Sequence, residues 1–263
     1  MNFWYVITVI VCCATWTSLE SAHADEKGQS STPATSTAAS SPDRYETRPD
    51  HDPNGIGKFY MGREIAQVMG FGPGGQGAAW LERSSREEEE RITLLVRSLG
   101  LKSTDVVADI GAGSGVISLR IAELVLPDGK VIAVDVQQEM LDRLKEHCEQ
   151  FGVSNVEPQL GTQETTGLKP GTVDLAIMVD VYHEFEFPYE MLLDISKSLK
   201  PGGRVAFVEY RKEDPTVPIK EVHKMSQAQV KAEASLPEFA LTWTETIHVL
   251  PRQHIIVFTK QEK

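Results

Sequence analysis

From Thr104 onward the hydrophobic positions switch between two periods. Short, mostly apolar runs at residues 106–109, 131–135, 155–160, 174–179 and 204–209 read as strands of a buried sheet. Segments of helical period lie between them. Val116, Ile117, Leu119, Ile121 and Ala122 follow the first run at once, and Met140, Leu141, Leu144, Cys148 and Phe151 share one helical face. Pro188 suits the first position of a helix over 189–199. The link over 161–172 is too short and glycine-rich for a full helix. Ser226 caps a helix running to Ser235, and β-like runs at 241–250 and 254–259, parted by Pro251-Arg252, predict an antiparallel pair at one sheet edge. The fold class is therefore α/β: a doubly wound, mostly parallel sheet with an antiparallel C-terminal strand pair. Such sheets take ligands at the carboxyl ends of their strands.

Upstream the pattern changes. Phe3 to Trp16 is almost wholly apolar, and Ala22 and Ala24 put small residues where a signal peptidase needs them. Residues 1–24 read as a secretory signal cleaved before Asp25, which predicts export to a periplasm or beyond the cell. An uncleaved anchor is the alternative, although about 14 apolar residues fall short of the ~20 that a span needs. Residues 25–55 are rich in Ser, Thr, Pro, Ala and Asp and read as a disordered linker. Residues 56–100 read as an N-terminal helical lid. Its predicted parts are a short helix over 64–69, a turn at Gly72-Pro73-Gly74-Gly75, a helical piece ending at Leu81, and a helix carrying Ile92, Leu95, Val96 and Leu99. Ser84 and Ser85 stand at capping-box spacing from Glu87 and Glu88, and the run 87–90 reads as a solvated helix start. Tyr60, Arg63 and Trp80 are large residues that a lid over a cleft would use, or that could equally pack on the sheet.

The chemistry centres on Asp109-Ile110-Gly111-Ala112-Gly113-Ser114-Gly115, a strand end followed by a glycine turn and a helix. Glycines there let backbone approach a nucleoside-containing ligand closely. The spacing is G-x-G-x-G, with Val116 where a nicotinamide or flavin fingerprint places its third glycine. A nicotinamide-dependent oxidoreductase is thereby disfavoured.

Asp-Ile-Gly-Ala-Gly-Ser-Gly resembles the first motif of the class I S-adenosylmethionine-dependent methyltransferases. Three further matches follow in the family's order: 131–135 ending in Asp135, 173–180 ending in Asp180, and Leu199-Lys200-Pro201-Gly202-Gly203-Arg204. The resemblance is closest to small-molecule enzymes of the quinone C-methyltransferase group. It implies a Rossmann-like methyltransferase domain over 101–263, S-adenosyl-L-methionine as cofactor, and methyl transfer to a small organic acceptor. A protein that binds the cofactor without turnover, as a sensor or scaffold, is the rival from another class.

The resemblance implies roles for particular residues. Asp135 is placed to accept hydrogen bonds from the ribose diol. Gly111, Ala112, Gly113 and Gly115 form the turn under the amino-acid tail, and Asp109 holds the tail's ammonium directly or through water. Val136 and Met140 cover the adenine. Where the family carries Gly-Asp, this chain has Gly161-Thr162-Gln163-Glu164, so Gln163 or Thr162 stands in for the adenine contact. Asp180 ends the fourth strand beside the donor. Beyond it, His183 is the candidate general base and Tyr182 orients the acceptor. Glu184 and Glu186 are the acids that could assist or bind a metal, but no metal site is expected, because this loop lacks a second histidine at helical spacing.

Composition narrows the partners. Hydrophobic residues at 41% and charged residues at 24% suit a soluble globular chain. A net charge of −12 fits a phosphate backbone poorly, so nucleic acid is not an expected substrate. Signal cleavage would leave Cys148 as the one cysteine, placed on an apolar helical stripe and read as core.

Overall fold

The computed structural model describes residues 44–262. The predicted signal over 1–24 and the first part of the linker lie outside the described residues. A small antiparallel sheet comes first: β1 (Tyr45–Thr47), β2 (Gly55–Tyr60) and β3 (Arg63–Ala66). Three short helices follow, α1 (Gln76–Leu81), α2 (Arg86–Glu90) and α3 (Ile92–Ser98). Then come β4 (Val106–Ile110), α4 (Val116–Leu124), β5 (Lys130–Asp135), α5 (Gln138–Phe151) and β6 (Val156–Leu160). The chain continues through β7 (Val173–Val179), α6 (Pro188–Ser198), β8 (Leu199–Tyr210), α7 (Gln227–Ala234), β9 (Leu241–Ile247) and β10 (Gln253–Lys260).

The large sheet runs β6-β5-β4-β7-β8-β10-β9. Its first five strands are parallel, while β10 pairs antiparallel with both β8 and β9. Alternation along the strands builds two cores. Ala108, Ile110, Met178 and Phe207 face one way, against Leu192 and Ile195 of α6 and Val230 of α7. Val107, Leu175, Ile177 and Val208 face the other, against α3, α4 and Leu144 of α5. Burial on both faces is why these strands read as apolar runs. Cys148 is partly buried against the second core, as its helical stripe predicts. Ser226 caps α7 by accepting the Gln229 N–H. Among the described residues no helix is long and apolar enough to cross a membrane.

The N-terminal part departs from expectation. Residues 45–47 form β1 rather than the end of a linker, and the helix predicted over 64–69 is strand β3 followed by irregular chain. The cause is the turn at Met61-Gly62, with φ of 48° and 85°. Two successive positive φ values make the tight hairpin that pairs Tyr60 with Arg63. The capping box does not form either. Ser85 precedes α2 without a side-chain cap bond, and Arg91 at φ 54° separates α2 from α3. Nor is the acidic run solvated throughout, because Glu90 turns inward and accepts bonds from Arg86 Nε at 2.8 Å and Tyr210 Oη at 2.8 Å.

One buried ion pair fastens the hairpin to the large domain. Arg63 Nε and Nη2 donate to both oxygens of Glu233 on α7, at 2.8 and 3.0 Å. Tyr182 Oη donates to the same carboxylate at 2.6 Å, and Arg63 Nη1 donates to the His183 carbonyl at 3.2 Å. Burial works against the Arg63 charge, and Glu233 more than offsets it, raising the guanidinium above its ordinary value. Removing one partner strands a buried charge. Arg63→Ala is expected to cost about 3–5 kcal/mol of unfolding free energy in urea titrations, most of it recovered by adding Glu233→Met. A loss below about 1 kcal/mol would show that other contacts fasten the hairpin.

Candidate active site

The sheet creates its own crevice. After β4 the chain builds outward through β5 and β6, then returns to lay β7 on the other side of β4. The carboxyl ends of β4 and β7 therefore lead away from each other, and ligands bind such sheets at this switch point. The glycine turn folds back over β5: Gly111 N and Ala112 N both donate to the Val134 carbonyl, at 2.8 and 3.0 Å. Gly111, Gly113 and Gly115 take φ of 73°, 54° and 85°, a left-handed conformation that disfavours other residues. Space forbids side chains as well. A Cβ on Gly111 would lie 2.4 Å from Val181, one on Gly113 2.4 Å from Leu81, and one on Gly115 2.7 Å from Leu144.

Seven of the ten predicted cofactor residues line the cavity at this crevice: Gly111, Gly113, Asp135, Val136, Met140, Gln163 and Asp180. Asp135 is held at the floor, accepting Gly113 N at 2.8 Å and Gln137 N at 2.9 Å on different oxygens. Burial raises its carboxyl, and the backbone N–H groups of Gln137 and Gly113 oppose that. Three predicted residues do not reach the cavity. Gly115 starts α4 and packs on Leu144, and Ala112 is turned inward at 7% exposure. Asp109 lies beneath the turn and accepts the Ser118 hydroxyl at 2.6 Å, pinning β4 to α4. Burial pushes it up to about 6 against the pull of Ser118.

A cover closes the crevice, though mostly not through the residues named for it. Tyr60 is core, Arg63 is spent on Glu233, and Trp80 alone stands half-exposed at the mouth. Val68, Met69 and Leu81 form the cover itself. Gln137 latches it from the loop after Asp135, accepting Phe71 N at 2.7 Å and donating to Met69 O at 3.1 Å.

A second chamber opens beside the first and shares Asp180, Glu184, Val68 and Met69 with it. His183, His223, Trp80, Arg83 and Lys220 also line it. His183 Nδ1 sits 2.6 Å from Glu209 Oε2, and its Nε2 edge faces His223 Nδ1 at 3.1 Å. Burial drives His183 down to about 4 and Glu209 up to about 8, so the pair avoids charge; Arg63 opposes the Glu209 shift. Tyr182 is fully buried on Glu233 and outside both chambers, which removes it from contact with an acceptor. Asp180 is strained at φ 52°. Its Oδ2 accepts Gln253 Nε2 at 2.7 Å, while Oδ1 is buried with no partner. Burial, then Glu90 and Glu209, raise it well above the ordinary carboxylate range.

The structure also brings together a side-chain group that spacing along one element does not reveal. His183, Glu184 and His223 bring three ligating atoms within 4.8 Å of one another. Helical spacing tests one element at a time, and His223 arrives from the β8–α7 connection, 40 residues along the chain. Glu209 was missed too, although an acid inside Val205-Ala206-Phe207-Val208-Glu209-Tyr210 is a visible anomaly in the sequence.

Known proteins share this fold. Residues 101–253 match the family model described as a methyltransferase domain. The chain belongs to the class I S-adenosylmethionine-dependent methyltransferases. It is 26% identical over 155 residues to an uncharacterized methyltransferase, YcgJ, of Bacillus subtilis, covering 58% of this chain and 60% of that one. It is 29% identical over 113 residues to a demethylmenaquinone methyltransferase of Lactococcus lactis, covering 43% and 44%. A crystal structure of a methyltransferase from Aquifex aeolicus shares the fold, with a TM-score of 0.65 at 24% identity, over 70% of this chain and 97% of that one.

The site fits the family's cofactor. Gly111 and Gly113 leave backbone bare along the cavity, each Asp135 oxygen keeps a lone pair, and the orphaned Asp180 Oδ1 offers an acceptor. Asp109 carries a separate signature. Its folded-state value of about 6 lies above the ordinary 3.8, so the native state binds the proton more tightly. The stability this contributes is complete below the unfolded value and is lost as pH rises through about 6. Between pH 5 and 7 the parent is therefore expected to lose about 1 kcal/mol more than Asp109→Asn. Urea melts of both proteins check this, and parallel pH profiles would contradict it.

Proposed function

We propose that this enzyme methylates a small organic acceptor held in the second chamber. The observation that carries the reading is the junction of two chambers at Asp180 and Glu184, one floored by the glycine turn and Asp135, the other walled by His183. The cofactor supplies an electrophilic methyl group on a sulfonium. Asp135 holds the ribose hydroxyls through its free lone pairs, Val136 and Met140 cover the adenine, and Gln163 meets its edge. The cover formed by Val68, Met69 and Leu81 excludes water, and the protein's task is alignment. Glu209 fixes the orientation of the His183 ring on the wall of the second chamber. The likeness to a demethylmenaquinone methyltransferase puts quinols first among acceptors to screen, ahead of phenols, thiols and small amines. Nucleic acid fits poorly with a net charge of −12.

Calorimetry on the full chain tests the donor half. S-adenosylhomocysteine is expected to bind more tightly than NAD, and Asp135→Ala to weaken it by about 1–3 kcal/mol while the fold survives. Equal or stronger NAD binding would sink the reading, and an unchanged constant in Asp135→Ala would place the ribose elsewhere. We propose export on the apolar run ending at Trp16 and the Ala22-His23-Ala24 site; N-terminal sequencing of the protein from its host is expected to begin at Asp25, and an intact Met1 would refute cleavage.

A further inference from the structure

The His183–Glu184–His223 group is more ordered than its catalytic reading requires. His183 Nε2 lies 3.1 Å from His223 Nδ1, and Glu184 Oε1 lies 3.9 Å from the first and 3.8 Å from the second. A triangle with sides 3.1, 3.8 and 3.9 Å has a point roughly 2.1 Å from all three corners, and zinc binds imidazole nitrogen and carboxylate oxygen at about 2.0–2.2 Å. The atoms already stand at coordination distance from a common centre.

Two further observations point the same way. Glu209 Oε2 engages the other ring nitrogen of His183 at 2.6 Å, the arrangement by which a carboxylate orients a metal-ligating histidine. Glu184 is 8% exposed, yet among the described residues its carboxylate accepts one hydrogen bond, from Met69 N at 3.3 Å. A buried carboxylate so thinly partnered is costly to fold unless a cation joins it.

We propose that His183, Glu184 and His223 hold a divalent transition-metal ion of the zinc type, with its open positions toward the second chamber, where an acceptor's hydroxyl or thiol oxygen or sulfur completes the coordination. Two imidazoles and one carboxylate leave room for such a ligand. A hydroxyl or thiol bound there gives its proton to bulk water and presents an anion beside the donor chamber. The role of the ion toward the acceptor rests on the methyl-transfer reading; the ion site itself does not.

The test uses the full chain, stripped with chelator and titrated with Zn²⁺ by calorimetry and equilibrium dialysis. One ion per chain is expected. His223→Ala, whose side chain is 20% exposed and so tolerates truncation, is expected to lower affinity at least about 100-fold, and Glu209→Gln about 10–100-fold. Unfolding midpoints of the variants guard against loss of fold, and His223→Asn provides a second folded variant. Thiophenol is then titrated into zinc-loaded and zinc-free chain; binding to the loaded form alone supports the acceptor role, and equal binding refutes it. Failure to bind a stoichiometric ion, or binding unchanged in folded His223→Ala and His223→Asn, would overturn the site. Titration of S-adenosylhomocysteine into the same samples separates the two readings: donor binding without zinc binding refutes the metal alone, and zinc binding without donor binding refutes the methyl-transfer reading alone.

Discussion

Desolvated acid governs the carboxyl edge of this sheet. Asp109, Asp135, Asp180, Glu184 and Glu209 all lie there, and burial is the largest cause raising each of them. Arg63 and Arg86 face this group, but both carboxylate bonds of Arg63 go to Glu233, and Arg86 Nε donates to Glu90. A fold that concentrates acids out of water without matching cations gives up stability at that place. It is also a fold in which any bound cation recovers some of the loss, because a ligand that binds the folded state alone stabilises it. A sulfonium with an ammonium tail is such a ligand.

The rest of the site follows from where those acids can be held. Asp135 stays in place because two backbone N–H groups, from Gly113 and Gln137, meet its two oxygens. The first of these exists because the glycine turn folds back onto the Val134 carbonyl, which the left-handed φ of Gly111 and Gly113 permits. Gln137 then extends outward to grip Met69 and Phe71, so the residue that orders the floor also fastens the cover. Glu209 plays the corresponding part on the other side, accepting Tyr182 N at 3.0 Å and contacting His183. Buried polar chains of this sort are worth having when every member is partnered.

The large sheet was legible in the sequence because its signals are local. Each strand of the parallel half ends in a recognisable run, and the glycine turn, Asp135, Asp180 and Pro201-Gly202-Gly203 stand in chain order. The cavity residues on those turns came with them. What resisted reading was assembled across distance. His223 meets His183 from another loop, and Leu81 packs over Gly113 from a helix preceding the sheet. Asp109 misled for a local reason: alternation along β4 sends its side chain to Ser118, beneath the turn rather than above it. The hairpin at Met61-Gly62 was missed because Glu64 to Met69 is too short for period to separate helix from strand, and the deciding signal was the turn.

The crevice between β4 and β7 as the donor site is the claim on which the functional account stands. A crystal structure of the full chain with S-adenosylhomocysteine tests it most directly. The account places the ribose hydroxyls on Asp135, the amino-acid tail along Gly111 and Gly113, and the thioether sulfur toward Asp180 and the second chamber. Density for the ligand anywhere else on the sheet, or a ribose bound without Asp135, would contradict it.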